Sequence, residues 1–184
     1  MFQSSVSRRN LVLIPVSLLV LATMTVGLAP KRTRADEGRP IKGDFTVAFS
    51  GMPNTAGVSF CGGTPSGVVV EAHGNGYSTL GALSFSLQKT QVGTAFHGCL
   101  TLTAPSADTL TAIYDLTAGP PDANLFRDAT GTLTFIGGTG RFEGASGNAN
   151  LTAVFSRIGG TTAPIQGIAF YSVDGTVSLS KGDQ

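Results

Sequence analysis

From residue 41 onward, apolar and small polar positions alternate along the chain with a period of two. Phe45, Val47 and Phe49 alternate with Thr46, Ala48 and Ser50, and Leu83, Phe85 and Leu87 with Ser84, Ser86 and Gln88. Leu110, Ala112, Tyr114 and Leu116 alternate with Thr109, Thr111 and Asp115, broken by Ile113, and Leu151, Ala153 and Phe155 with Asn150, Thr152 and Ser156. Successive strand side chains point to opposite faces, so each run describes a ribbon with one apolar wall and one solvated wall. No segment after residue 36 carries the period of an amphipathic helix.

The pattern predicts strands near 41–50, 57–61, 66–73, 77–89, 94–104, 108–117, 130–137, 147–157, 166–173 and 175–180. Turn signals separate them at Met52-Pro53-Asn54, Gly62-Gly63-Thr64-Pro65, Gly74-Asn75-Gly76, Pro105-Ser106-Ala107-Asp108 and Asp174-Gly175. Asn75-Gly76 and Asp174-Gly175 are the sharpest hairpin candidates. Eight to ten short strands in one domain define an all-β fold: an eight-stranded antiparallel barrel, with a β-sandwich as the alternative. The irregular stretch 118–129 reads as a long connection or as a rim over a cavity. The Thr-Leu-Thr echoes at 101–103, 109–111 and 132–134 are irregularly spaced, as expected of half-buried strands and not of a repeat.

The first 35 residues follow a different logic. Arg8 and Arg9 precede a charge-free run from Leu11 to Ala29, and Thr33-Arg34-Ala35 places small residues before Asp36. A basic start, an apolar middle and a small-residue exit make a secretory leader, with cleavage expected between Ala35 and Asp36. Ser7-Arg8-Arg9-Asn10-Leu11 resembles a twin-arginine signal, so that export route and the general one both stand. The competing reading is an uncleaved membrane anchor, since nineteen apolar residues reach the spanning length; Pro15 interrupts such a helix. The expected mature domain is 36–184, secreted or periplasmic and free of the membrane once the leader is removed.

Removing the leader changes the charge. Seven basic and eleven acidic residues remain, a net of −4, with no basic cluster. Such a surface is a poor partner for phosphate backbones, which excludes nucleic acid. Cys61 and Cys99 form an even pair in an exported chain and read as one disulfide. The alternative is a thiol nucleophile at Cys99 with His97, two residues away on the same strand face, as its base.

Gly137-Gly138-Thr139-Gly140-Arg141-Phe142-Glu143-Gly144-Ala145-Ser146-Gly147 is the most distinctive stretch. It fails as a nucleotide loop: Glu143 stands where the dinucleotide spacing needs glycine, no helix follows, and no Lys-Ser/Thr pair is present. It works as a tight strand-to-strand crossing, with Phe142 plugging the barrel end. This run, Gly-Gly-Thr-Gly-Arg-Phe followed by Gly-Ala-Ser-Gly, resembles the signature of the allene oxide cyclase-like and dirigent-like barrels and of their small secreted bacterial relatives; Thr79-Leu80-Gly81 resembles a short element of the bacterial group. The resemblance spans roughly residues 76–180 with about a dozen specific positions. It implies an eight-stranded antiparallel barrel, trimeric assembly and apolar ligands of phenolic or fatty-acid-derived type. The acid/base residues of those families do not map onto this chain, so the resemblance carries fold without activity.

Candidate chemistry is sparse. Glu71 and His73 share a strand face and would serve as an acid–base pair or as a solvent-facing link. His73, His97 and an acid would be needed for a metal site; two histidines at unrelated positions predict none, and no cofactor is expected. Tyr114, on the apolar face, is a ligand-contacting phenol or a core tyrosine with a satisfied hydroxyl. Arg141 is expected to pair with Glu143 or another acid, and Asn150-Leu151-Thr152 is a glycosylation sequon. Glu71, His73 and Tyr114 are therefore the candidate ligand contacts. No catalytic set is identified, and the sequence leans away from an enzyme. The leading expectation is an exported barrel that binds or scaffolds, holding a small apolar ligand. The alternatives are a cyclase- or dirigent-type enzyme that steers an apolar intermediate, and a structural extracellular module with a filled core.

Overall fold

The computed structural model describes residues 38–158 and 164–179. The leader and the Ala35–Asp36 junction lie outside the described residues. Eight strands follow one another in the chain: β1 (Arg39–Pro53), β2 (Val68–Ser78), β3 (Gly81–Val92), β4 (Ala95–Thr103), β5 (Thr109–Ala118), β6 (Phe126–Gly138), β7 (Ser146–Ile158) and β8 (Ile165–Ser178). Each pairs antiparallel with its sequence neighbour, and β1 pairs with β8, so the sheet closes into an up-and-down barrel rather than a sandwich. Closure removes the sheet edges that a sandwich would leave open.

Alternation predicts the inner wall correctly. Phe45, Val47, Leu83, Phe85, Leu87, Leu110, Ala112, Tyr114, Leu116, Leu151, Ala153 and Phe155 all face the core. Aromatic rings run along the interior: Phe85 stacks on Tyr171 at 5.1 Å and meets Phe45 at 5.5 Å, while Phe96 and Phe155 meet edge to face at 5.8 Å. Such rings supply much of the burial that drives closure. The Gly-rich crossing between β6 and β7 contains a single 3-10 turn, Gly140–Phe142, whose Phe142 is buried in the core. Arg141 reaches Asp108 at 3.8 Å and the Leu80 carbonyl at 3.1 Å, so its acidic partner comes from the β4–β5 connection.

Three predicted boundaries fail, for two physical reasons. The segment 57–61 is not a strand; residues 54–67 form a loop from β1 to β2, organised by the Asn54 side chain, which accepts from Val58 N at 2.8 Å. Asn75-Gly76 and Asp174-Gly175 are not hairpins: β2 and β8 run straight through them. A Cβ on Gly76 would lie 2.1 Å from the Asp44 carbonyl oxygen, and one on Gly175 would lie 2.3 Å from Ala149 Cα. At these positions glycine permits close strand approach, the other use of glycine in a sheet. The irregular stretch is also shorter than 118–129, since β5 reaches Ala118 and β6 begins at Phe126. Asp122 holds its turn, accepting from the amides of Asn124 and Phe126 at 2.9 and 2.8 Å.

Candidate functional site: a buried amine at one end of the barrel

The C-terminal ends of β1, β3 and β7 and the N-terminal ends of β2, β4 and β8 meet at the barrel end opposite Phe142. A cavity of about 10 Å³ lies there, room for roughly one water. Phe49, Val70, Phe96, Phe155, Ile165 and Ala169 form its apolar wall, and Lys89, Gln91, Arg157 and Tyr171 bring polar atoms to it.

Lys89 is the unexpected member. It follows Leu83, Phe85 and Leu87 in the inward phase of β3 and is only 4 % exposed. Its Nζ donates to the hydroxyls of Tyr114 at 3.2 Å and Tyr171 at 3.3 Å, and these two hydroxyls bond each other at 3.3 Å. The ammonium position also lies 4.3 Å from the centre of the Phe96 ring and 4.9 Å from that of Tyr114. Burial pushes the Lys89 pKa down to about 7, because a charge loses its hydration there. Burial likewise raises Tyr171 to about 12 and Tyr114 well above the ordinary tyrosine value. The site therefore holds two protonated phenols around an amine whose neutral form is strongly favoured relative to an exposed lysine.

The room for this cluster is built into the register. Gly98 of β4 pairs with Lys89 on one side and Tyr114 on the other. With no side chain at Gly98, Lys89 and Tyr114 reach across the gap; a Cβ there would lie 2.1 Å from the Gln88 carbonyl and 2.6 Å from Lys89 Cβ. At the rim, Arg157 Nη2 donates to Gln91 Oε1 at 3.3 Å. Burial and the neighbouring Arg127 charge lower the Arg157 pKa, so positive charge is concentrated at this end.

The sequence-derived candidates distribute differently. Tyr114 lies in the cluster, fully buried. Glu71 and His73 share a face of β2, as expected, but it is the outer one; Glu71 accepts from Gln88 Nε2 at 3.3 Å, and neither side chain reaches the cavity. Cys61 and Cys99 form a disulfide with Cα atoms 5.5 Å apart, which removes the reactive-thiol alternative. His97 instead anchors the disulfide loop: Nδ1 contacts Asp115 Oδ1 at 2.5 Å and Nε2 contacts the Cys61 carbonyl at 2.9 Å. Both partners are acceptors, so the imidazole satisfies them together only as the doubly protonated cation. Its pKa is raised, first by the Cys61 bond and then by that to Asp115. Among the described residues no group of three His, Cys, Asp or Glu side chains is placed to hold a metal.

No protein-family model matches this sequence, and no curated protein matches it. Among solved structures the chain is similar to the pterocarpan synthase dirigent protein, at 14% identity over 80% of this chain and 90% of that chain, with a TM-score of 0.41. The closed barrel itself rests on the strand pairing described above.

Proposed function

We propose that this protein is an exported binding barrel that holds a small, mainly apolar ligand at the Lys89 end. The observation that carries the reading is the buried amine. A lysine inside an apolar barrel costs several kcal/mol that a leucine or methionine would not, so a core evolved for stability alone has no use for it. Perturbed ionisable groups beside a cavity are where binding and catalysis concentrate. Here the amine, two phenols and a guanidinium meet a wall of Phe49, Phe96 and Phe155. The resemblance of Gly137–Gly147 to the dirigent-like and allene oxide cyclase-like barrels supports the same ligand class. The leader supports export, and a disulfide is in keeping with an oxidising compartment.

A second reading, a structural module, is favoured by one observation: aromatic side chains fill the interior so fully that the cavity at this end has room for about one water. Native mass spectrometry of the protein purified from its own host separates the two. The binding reading expects a retained small molecule and, from the family resemblance, a trimer. Chains of bare polypeptide mass, with no uptake of added apolar compounds, would favour the structural module. N-terminal sequencing of the exported material is expected to begin at or near Asp36; a start at Met1 in the membrane fraction would contradict export by cleavage.

A further inference from the structure

We infer that Lys89 is a capture amine, which holds a small aldehyde reversibly as an imine at the Phe49–Phe96–Phe155 end of the barrel. The inference rests on the reading of that end as a ligand site and names the group by which the ligand is recognised.

Imine chemistry needs a free amine, a proton donor for the departing oxygen and little competing water. The partners of Lys89 meet the first need. Lys42 pairs with a carboxylate, Asp174, at 3.0 Å on the exposed surface. Lys89 instead hydrogen-bonds two hydroxyls, and no ion pair with a carboxylate holds it among the described residues. Burial lowers its pKa to about 7, which favours the neutral amine far more than at an exposed lysine. Tyr114 and Tyr171 meet the second need, because both stay protonated and lie within 3.3 Å of Nζ. The aromatic wall meets the third.

The step balances without any co-reactant. The Nζ lone pair attacks the carbonyl carbon, and the carbon–oxygen π pair moves to oxygen. That oxygen takes a proton as the nitrogen gives one up, which yields a carbinolamine. The hydroxyl then leaves as water, taking a proton relayed through the tyrosine pair, while the nitrogen pair closes the C=N bond and the remaining N–H proton returns to that pair. One aldehyde and one amine give one imine and one water, and added water reverses the reaction. The 10 Å³ cavity fits a carbonyl oxygen, and the rest of a short chain would enter only by parting the side chains of the aromatic wall from the Gln91–Arg157 rim.

The test uses the full chain at pH 7 with butanal and cyanoborohydride, which reduces an imine to a stable alkyl-lysine that peptide mass mapping locates. An ordinary lysine is free amine to only about one part in a few thousand at this pH, so Lys89 is expected to be alkylated at least tenfold faster than Lys42. Lys89→Met should lose that adduct alone, and Lys89→Arg should do the same while keeping a positive charge. Butanal should also displace the apolar probe N-phenyl-1-naphthylamine from the wild type more strongly than butanol does. If the probe binds but Lys89 is alkylated no faster than Lys42, the capture inference is wrong and the binding reading survives. If the probe does not bind and Lys89 reacts only after unfolding, both are wrong.

Discussion

Lys89 and Tyr114 sit on either side of Gly98 in one cross-strand row, and the amine crosses that gap to reach the phenol at 3.2 Å. The glycine and the lysine are parts of one arrangement. Gly98→Ala should therefore destabilise the protein by about 1–3 kcal/mol, the usual cost of overpacking, because its methyl group would meet the Gln88 carbonyl and Lys89 Cβ. Urea unfolding measures this, and an unchanged midpoint would mean that the row has slack.

Lys89 sets a pH dependence of known sign. Its pKa is lowered from 10.5 to about 7 on folding, so between these values the unfolded chain binds more protons than the folded one. Stability should accordingly rise with pH from about 7 towards 10.5 and be insensitive to this group below 7. Lys89→Met should remove the slope and raise stability at pH 7 by about 1–4 kcal/mol. Thermal melts across the pH series check both.

His97 works in the opposite direction. Its pKa is raised by the bonds to Cys61 and Asp115, so its contribution is fully present below the ordinary histidine value and is lost as pH rises through the folded value. The group is partly exposed and the effect on global stability should be small. Amide exchange over residues 54–67 should quicken above that pH, while in Asp115→Asn the change should occur at lower pH.

The disulfide closes the same loop. Reduction of Cys61–Cys99 should lower stability by about 2–4 kcal/mol with little loss of strand content, since Cys61 lies in the loop and the barrel ladder continues without it. The single variants Cys61→Ser and Cys99→Ser should match each other. Thiol titration of denatured, unreduced protein should find no free cysteine.

The inner wall was legible because period two is a local property. Phe45, Phe85, Tyr114 and Phe155 point inward wherever their partners lie. Ends of strands were less legible: Asn75-Gly76 carries a turn signature but serves a close contact with β1, and only the register reveals that contact. Of the ten segments read as strands within an eight-stranded barrel, 57–61 is a loop held by Asn54, and β8 absorbs 175–180 to its last paired residue, Ser178. At the site, Tyr114 was visible from its phase, and the one available signal for Lys89 was the same: it continues the Leu83, Phe85, Leu87 series. A charged residue in an apolar phase at a strand end ordinarily marks emergence into solvent. That this one stays inside depends on Tyr171, 82 residues away, and on the gap at Gly98. Glu71 and His73 shared a face as expected, yet the flanking alternation, with Val70 and Ala72 buried, assigns that face to the exterior.

Binding of a small apolar ligand at the Lys89 end is tested by a fluorescence titration with N-phenyl-1-naphthylamine on the wild type and on Ala169→Met. Ala169 is buried and lines the one-water cavity; the probe enters by parting the aromatic side chains around it, and the longer Met side chain opposes that without adding charge. Binding should saturate at one probe per chain in the wild type and weaken at least tenfold in a variant that still melts cooperatively. Equal binding by the two proteins, or none by either, would contradict the site.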